Sequence, residues 1–203
     1  MSFIYWLGHL FFREIARGFF DYRAIGIDNI QIKGPVIIVA NHVSFMDPPL
    51  VGIGFDEALY FLARKSLFDH PIAGWIFRNW QAIPVDQDKP DPGSLKAMVR
   101  FLRAGKKVII FPEGNRSEDG NLQRAEPGIG LVIAKAGVPV IPARVFGAFE
   151  ALPRHKSLPQ PHPVTVVYGR PWHVDLSTYK ETGKELYRKL ADEAMERIGE
   201  LQA

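Results

Sequence analysis

A chain of 203 residues, 47% of them hydrophobic, is long enough for one well-buried core and fits a single α/β domain with extensions better than two domains. It contains no cysteine, which excludes disulfides, thiolate catalysis and cysteine-based zinc sites. A formal charge of +3 is too small an excess to point to nucleic acid, and an anionic partner such as phospholipid or an acyl carrier fits it as well.

Residues 3–12 hold eight apolar side chains, broken by Gly8 and His9. A spanning helix needs roughly 20 apolar residues, and the run lacks the basic start and cleavage site of a signal peptide. Tyr5 and Trp6, followed by Arg13 and Arg17, predict a helix lying in a membrane interface; the other reading is a helix packed on the domain's own core. Residues 23–33 alternate loosely through Ile25, Ile27, Ile30 and Ile32 with a turn at Asp28-Asn29, which predicts an antiparallel hairpin at a sheet edge. Residues 36–40 carry no polar side chain and read as a strand buried on both faces, ending abruptly in Asn41-His42 with Asp47 just beyond.

A short helix is expected from Pro48 to about residue 56, then a buried strand over 59–63 that delivers Arg64 and Lys65 to its end, and a helix opened by His70-Pro71. Residues 82–85 form a short strand leading to a charged turn over 86–91. Asp91-Pro92 reads as the cap of an amphipathic helix with Leu95, Met98, Val99 and Leu102 inside and Gly105 as its stop. That helix returns the chain to a second buried strand, 107–111, in the order of a parallel crossover. Residues 118–127 are a polar loop, 128–136 a short apolar helix, and 138–145 a strand whose prolines predict an edge or a bulge. Residues 152–163 contain four prolines with Arg154, His155 and Lys156, a rigid basic loop that either touches lipid head groups or simply connects. The last strand is 164–168, and Thr182 with Glu185 predicts a capping box for a C-terminal helix.

In an open parallel sheet, ligands bind outside the carboxyl ends of the strands, so the two buried strands would bring His42, Asp47, Glu113 and Arg116 to one rim. A histidine can accept a hydroxyl proton at neutral pH, and a carboxylate on its other nitrogen fixes the tautomer. His9 has Glu14 at the same spacing, so what singles out His42 is its place after a buried strand. In Phe111-Pro112-Glu113-Gly114-Asn115-Arg116-Ser117, the glycine permits a backbone shape that lets the chain approach a ligand, and Arg116 offers a planar fork matched to phosphate oxygens. Glu113 is expected either to orient Arg116 or to bind a hydroxyl. No metal-ligand cluster is visible, so no metal is expected.

Together Asn41-His42-x-x-x-x-Asp47 and Phe111-Pro112-Glu113-Gly114-x-Arg116-Ser117 resemble the glycerolipid acyltransferases, specifically the PlsC-like 1-acylglycerol-3-phosphate acyltransferases. Ala63-Arg64-Lys65-Ser66-Leu67-Phe68, Ala82-Ile83-Pro84-Val85-Asp86 and Val138-Pro139-Val140-Ile141-Pro142 resemble further blocks in the family's order, so the likeness covers roughly residues 24–170. The resemblance implies a mixed α/β fold, a largely parallel sheet flanked by helices, with residues 1–22 as the interfacial helix and 23–203 as the acyltransferase domain. It implies transfer of a fatty acyl group from acyl-CoA or acyl carrier protein to the hydroxyl of 1-acylglycerol-3-phosphate, with no further cofactor and no nucleic acid. His42 would be the general base and Asp47 its orienting partner. Glu113, Gly114 and Arg116 would form the acceptor-phosphate site with help from Arg64 or Lys65. The enzyme would sit as a peripheral, monotopic protein on the cytoplasmic face of the membrane, touching phospholipid and lysophospholipid.

Two positions depart from the family pattern. Asn115 stands where threonine is usual, and Gln87 where the second block usually ends in arginine. The lost cation keeps open an acceptor without phosphate, such as a lyso-aminolipid. Hydrolysis of the thioester and non-catalytic lipid binding are the readings from other classes. The lack of cysteine and of a Gly-x-Ser-x-Gly elbow favours direct transfer over an acyl-enzyme.

Overall fold

The structure, a computed structural model, describes residues 2–86 and 92–203. Its elements run α1 (Phe3–Phe20), β1 (Arg23–Ile25), β2 (Ile37–Ala40), α2 (Asp47–Gly52), β3 (Leu59–Arg64), α3 (Pro71–Asn79), β4 (Ala82–Val85), α4 (Pro92–Arg103), β5 (Lys107–Ile110), α5 (Pro127–Ala136), β6 (Val140–Phe146), α6 (Ala148–Ala151), β7 (Thr165–Tyr168) and α7 (Gly183–Gly199). The strands form a seven-stranded sheet in the order β1-β7-β6-β2-β5-β3-β4. The five from β6 to β4 are parallel to one another, while β7 runs antiparallel to β6 and carries β1 parallel beside it.

The expected fold class, a mixed and largely parallel sheet between helices, is the one observed. Its cause is visible in β2, where all four residues are buried. Alternate side chains point to opposite faces. Ile38 and Ala40 therefore join Ile109, Ile141, Ala16, Phe20 and Leu50 on the side of α1 and α2. Ile37 and Val39 join Met98, Leu102, Val132, Ile133 and Leu190 on the side of α4, α5 and α7. A strand with an apolar layer on each face has no use for the polar alternation of an exposed sheet.

Along α1, Ser2 caps the start by accepting the Tyr5 N–H at 3.2 Å. One edge of the helix, through Tyr5, Ala16 and Phe20, is buried. Other large side chains face outward, Phe3 at 73% and Phe11 at 68% exposure. Among the described residues, no helix is long and apolar enough to cross a membrane.

Three local expectations change. Residues 23–33 do not make a hairpin: Gly26, at φ 77°, turns the chain out of β1 into a 3₁₀ turn over Ile27–Ile30, and β1 pairs parallel with β7. Ile25 and Ile27 therefore do not belong to one alternating strand. The proline-bearing strand β6 lies inside the sheet, between β2 and β7. Pro142 is tolerated there because its carbonyl accepts the Gly169 N–H just past the end of β7, so its nitrogen faces the gap between the last β6–β7 pair and the isolated Val140–Trp172 bridge, where no ladder hydrogen bond is required of it. Thr182 does occupy the N-cap of α7, but its side chain makes no capping hydrogen bond, so the capping box is not formed. The expected cap at Asp91 and the departure at Gln87 lie outside the described residues.

Helices α5 and α7 cross closely because Gly130 has no side chain. A Cβ there would lie 1.8 Å from the Tyr187 carbonyl oxygen, which belongs to backbone and cannot swing aside. Gly130→Ala is expected to destabilise the fold by about 1–3 kcal/mol through overpacking. Thermal unfolding followed by circular dichroism should show the midpoint lowered by several degrees; an unchanged midpoint would mean the crossing is looser than described.

Candidate active site

Three parallel strands, β2, β3 and β5, end on one rim of the sheet, and each delivers candidate residues. The clearest case is the end of β2. There the Asn41 side chain continues the ladder in place of main chain, accepting the Val145 N–H at 2.7 Å and donating to the Val145 carbonyl at 3.0 Å. The main chain, released from the sheet, turns so that Asp47 at the start of α2 reaches back to His42.

Nδ1 of His42 and Oδ2 of Asp47 are 2.8 Å apart. The same carboxylate oxygen accepts the N–H groups of Val43 and Ser44, both at 2.7 Å. Asp47 is fully buried, while the His42 side chain keeps 19% of its surface exposed. A carboxylate acceptor on Nδ1 selects the tautomer with the proton there and leaves Nε2 as the nitrogen able to take another. The imidazole also stacks on Phe111, the first residue after β5, with ring centroids 4.1 Å apart.

The second motif holds the main chain of His42 from the other side. Glu113 Oε1 accepts the His42 N–H at 3.1 Å, and the Ser117 N–H donates to the His42 carbonyl at 2.7 Å. Glu113 does not pair with Arg116, one of its two expected roles; its carboxylate takes the His42 N–H, with the Gln123 main chain a further donor beside it, and among the described residues no side-chain hydrogen bond fills Oε2. Burial, together with the charge of Asp47, pushes its carboxyl up to about 7, against the pull of the His42 N–H. Gly114 sits at φ 72°, the left-handed shape expected of it.

Arg116 is half-buried, its guanidinium 5.9 Å from the Phe45 ring centre. Burial lowers its proton affinity, the nearby charges of Arg154 and Arg64 lower it further, and Asp47 offsets part of this. Arg64, at the end of β3, thus reaches the same rim. Lys65 begins the next 3₁₀ turn, is exposed, and makes no hydrogen bond or ion pair with the site among the described residues. Ser44 and Ser117 are both buried, Ser44 donating to the Leu152 carbonyl at 2.9 Å and Ser117 to Asp119 at 3.0 Å.

Sequence reasoning gave no roles to Asn41 or Ser44 and did not bring Arg154 to the rim. For Asn41 a signal existed, since an amide side chain at the end of a buried strand can replace a peptide group in the ladder. Arg154 follows in sequence from none of the motifs, because its position depends on how the loop after α6 folds back.

Fold and site define an α/β protein whose sheet rim carries a histidine–carboxylate pair beside converging arginines, a set able to take a proton from a hydroxyl next to an anionic group. The family model described as Acyltransferase matches residues 21–145. The 1-acyl-sn-glycerol-3-phosphate acyltransferase of Bacillus subtilis is 30% identical over 149 residues, 72% of this chain and 71% of that protein. The chloroplastic 1-acyl-sn-glycerol-3-phosphate acyltransferase LPAT1 of Arabidopsis thaliana is 33% identical over 141 residues, and the chain spans only 38% of its length. The crystal structure of the 1-acyl-sn-glycerophosphate acyltransferase PlsC from Thermotoga maritima matches with a TM-score of 0.74 at 29% identity, covering 98% of this chain and 79% of that one. The chain belongs to the acyltransferase family.

The Glu113 carboxyl provides a stability test. Its folded value of about 7 lies above the ordinary 4.5, so the folded protein keeps a proton that the unfolded chain releases between those values. Stability from this group is therefore complete below about pH 4.5 and lost as pH rises to 7 and beyond. Comparing wild type with Glu113→Gln, the wild-type melting temperature should fall more steeply across that window. Parallel curves would show that the carboxyl is not raised.

Proposed function

We propose that the chain transfers a fatty acyl group from the thioester of coenzyme A or acyl carrier protein to the free hydroxyl of 1-acylglycerol-3-phosphate, giving phosphatidic acid. The observation that carries this reading is the buried Asp47 fixed on Nδ1 of His42, beside a rim where Arg116, Arg154 and Arg64 influence one another. The names of the relatives support the choice of acceptor.

In this reading Nε2 of His42 takes the hydroxyl proton as the alkoxide oxygen attacks the thioester carbonyl. Asp47 steadies the imidazolium that forms. The tetrahedral intermediate collapses, the carbon–sulfur bond breaks, and the departing thiolate recovers the proton from His42. The ester product and a free thiol balance the reaction, with no cofactor beyond the donor. The two serines of the motifs are poor candidates for an acyl-enzyme, because both are buried and their hydroxyls are committed to Leu152 and Asp119.

We assign the acyl chain to the apolar cleft between α1, α2 and β3, lined by Tyr5, Phe12, Pro48, Ile53, Phe61 and Trp80, which at about 40 Å³ would have to widen to admit it. Helix α2 both starts at Asp47 and walls this cavity, so chain binding and the dyad share an element. Exposed Phe3, Leu7 and Phe11 on α1, with Ile72 and Trp75 on α3, suit insertion into one leaflet of the cytoplasmic face. At roughly 1.5–3 kcal/mol for each large side chain removed from water, a few of them suffice for reversible attachment.

Thioester cleavage should be measured with acyl-coenzyme A and, in parallel, lysophosphatidic acid, 1-monoacylglycerol and no acceptor, the product being identified by mass. We expect phosphatidic acid with lysophosphatidic acid and little cleavage without acceptor. Free fatty acid as the main product would instead make the protein a hydrolase, and preferential acylation of monoacylglycerol would remove the phosphate from the recognised group.

A further inference from the structure

The rim holds a cation that neither motif names. Arg154 stands in the proline-rich segment after α6, and that segment is fastened to the loop carrying the dyad. Ser44 Oγ, lying between His42 and Asp47 in sequence, donates to the Leu152 carbonyl at 2.9 Å, and Ser44, Leu152 and Pro153 are all buried. The segment is also closed on itself, through the Lys156 N–H to the Pro153 carbonyl at 3.1 Å and the Gln160 N–H to the Ala151 carbonyl at 2.8 Å. Arg154 is thus set two residues from an anchor on the dyad loop.

From there its Nη1 donates to the Arg116 carbonyl and to the Glu118 carboxylate, each at 3.4 Å. Glu118 is 83% exposed, and a long ion pair in water holds little. A strut between the two loops would not need a guanidinium brought beside Arg116, where the two charges oppose each other. Like charges gathered at a rim, next to a pair able to accept a hydroxyl proton, suit an anion that lies between them. Guanidinium forks match phosphate oxygens in particular.

We propose that Arg154 binds the acceptor's phosphate together with Arg116. The proposal rests on lysophosphatidic acid being the acceptor. It also makes the segment after α6 a determinant of acceptor choice, carried on the hydrogen bond from Ser44.

The test is steady-state kinetics with lysophosphatidic acid at saturating donor, on the full chain, for wild type, Arg154→Gln, Arg154→Lys and Glu118→Gln. Losing one charge-assisted contact to phosphate should raise KM in Arg154→Gln about tenfold, with kcat within about twofold. Arg154→Lys should recover part of the loss, and Glu118→Gln should not reproduce it. An unchanged KM in Arg154→Gln would overturn the proposal, as would a fall confined to kcat. A loss matched by Glu118→Gln would assign Arg154 to the strut instead. If wild type does not acylate lysophosphatidic acid at all, the acceptor reading itself fails and the proposal with it, an outcome told apart by the wild-type arm alone.

Discussion

The 2.8 Å contact between His42 and Asp47 is the interaction on which the rest of the architecture converges. A carboxylate with no exposed surface is costly unless its oxygens are paired, and here Oδ2 takes two main-chain N–H groups as well as the imidazole, while Oδ1 is buried without a hydrogen-bond partner among the described residues. Those N–H groups come from Val43 and Ser44, within the turn that Asp47 closes, so the turn and the carboxylate support each other. Removing the carboxylate would leave two donors buried without partners, and the loss would reach beyond the tautomer of His42.

His42 is held at three points by two parts of the chain. The imidazole belongs to α2 through Asp47, the backbone N–H to the loop after β5 through Glu113, and the backbone carbonyl to the same loop through Ser117. Asn41 makes this possible, because its side chain keeps β2 joined to β6 while the main chain leaves the sheet. Two motifs about seventy residues apart in sequence therefore share a hydrogen-bond network rather than merely facing a common ligand.

Much of this was legible in the sequence, for identifiable reasons. Residues 36–40 and 108–111 are apolar without alternation, and a strand covered on both faces is the physical consequence, so the sheet and its rim followed. What failed were inferences from local pattern in places where tertiary contacts decide. The isoleucines at 25, 27, 30 and 32 look like an alternating hairpin, but Gly26 breaks them between a strand and a turn. Prolines in residues 138–145 argued for an edge or a bulge; the strand is interior, and between the Ala143–Tyr168 pair and the Val140–Trp172 bridge three residue steps on β6 face four on the other side, so only the edge reading fails. The pairing of Glu113 with a backbone amide had no sequence signal, since glutamate beside arginine reads naturally as an ion pair. The convergence of Arg154 on Arg116 depends on a loop fold that composition does not encode.

The central claim is that His42 is the base for acyl transfer, and turnover of lysophosphatidic acid by a folded His42→Ala protein tests it most directly. The ring contributes stacking on Phe111 and the bond to Asp47, so the variant must first be shown to unfold cooperatively. With that established, we expect phosphatidic acid formation to fall by a factor on the order of 10³ or more, because both proton acceptance and donation are lost. Turnover retained at a tenth of the wild-type rate or above would contradict the assignment and move the base elsewhere on the rim.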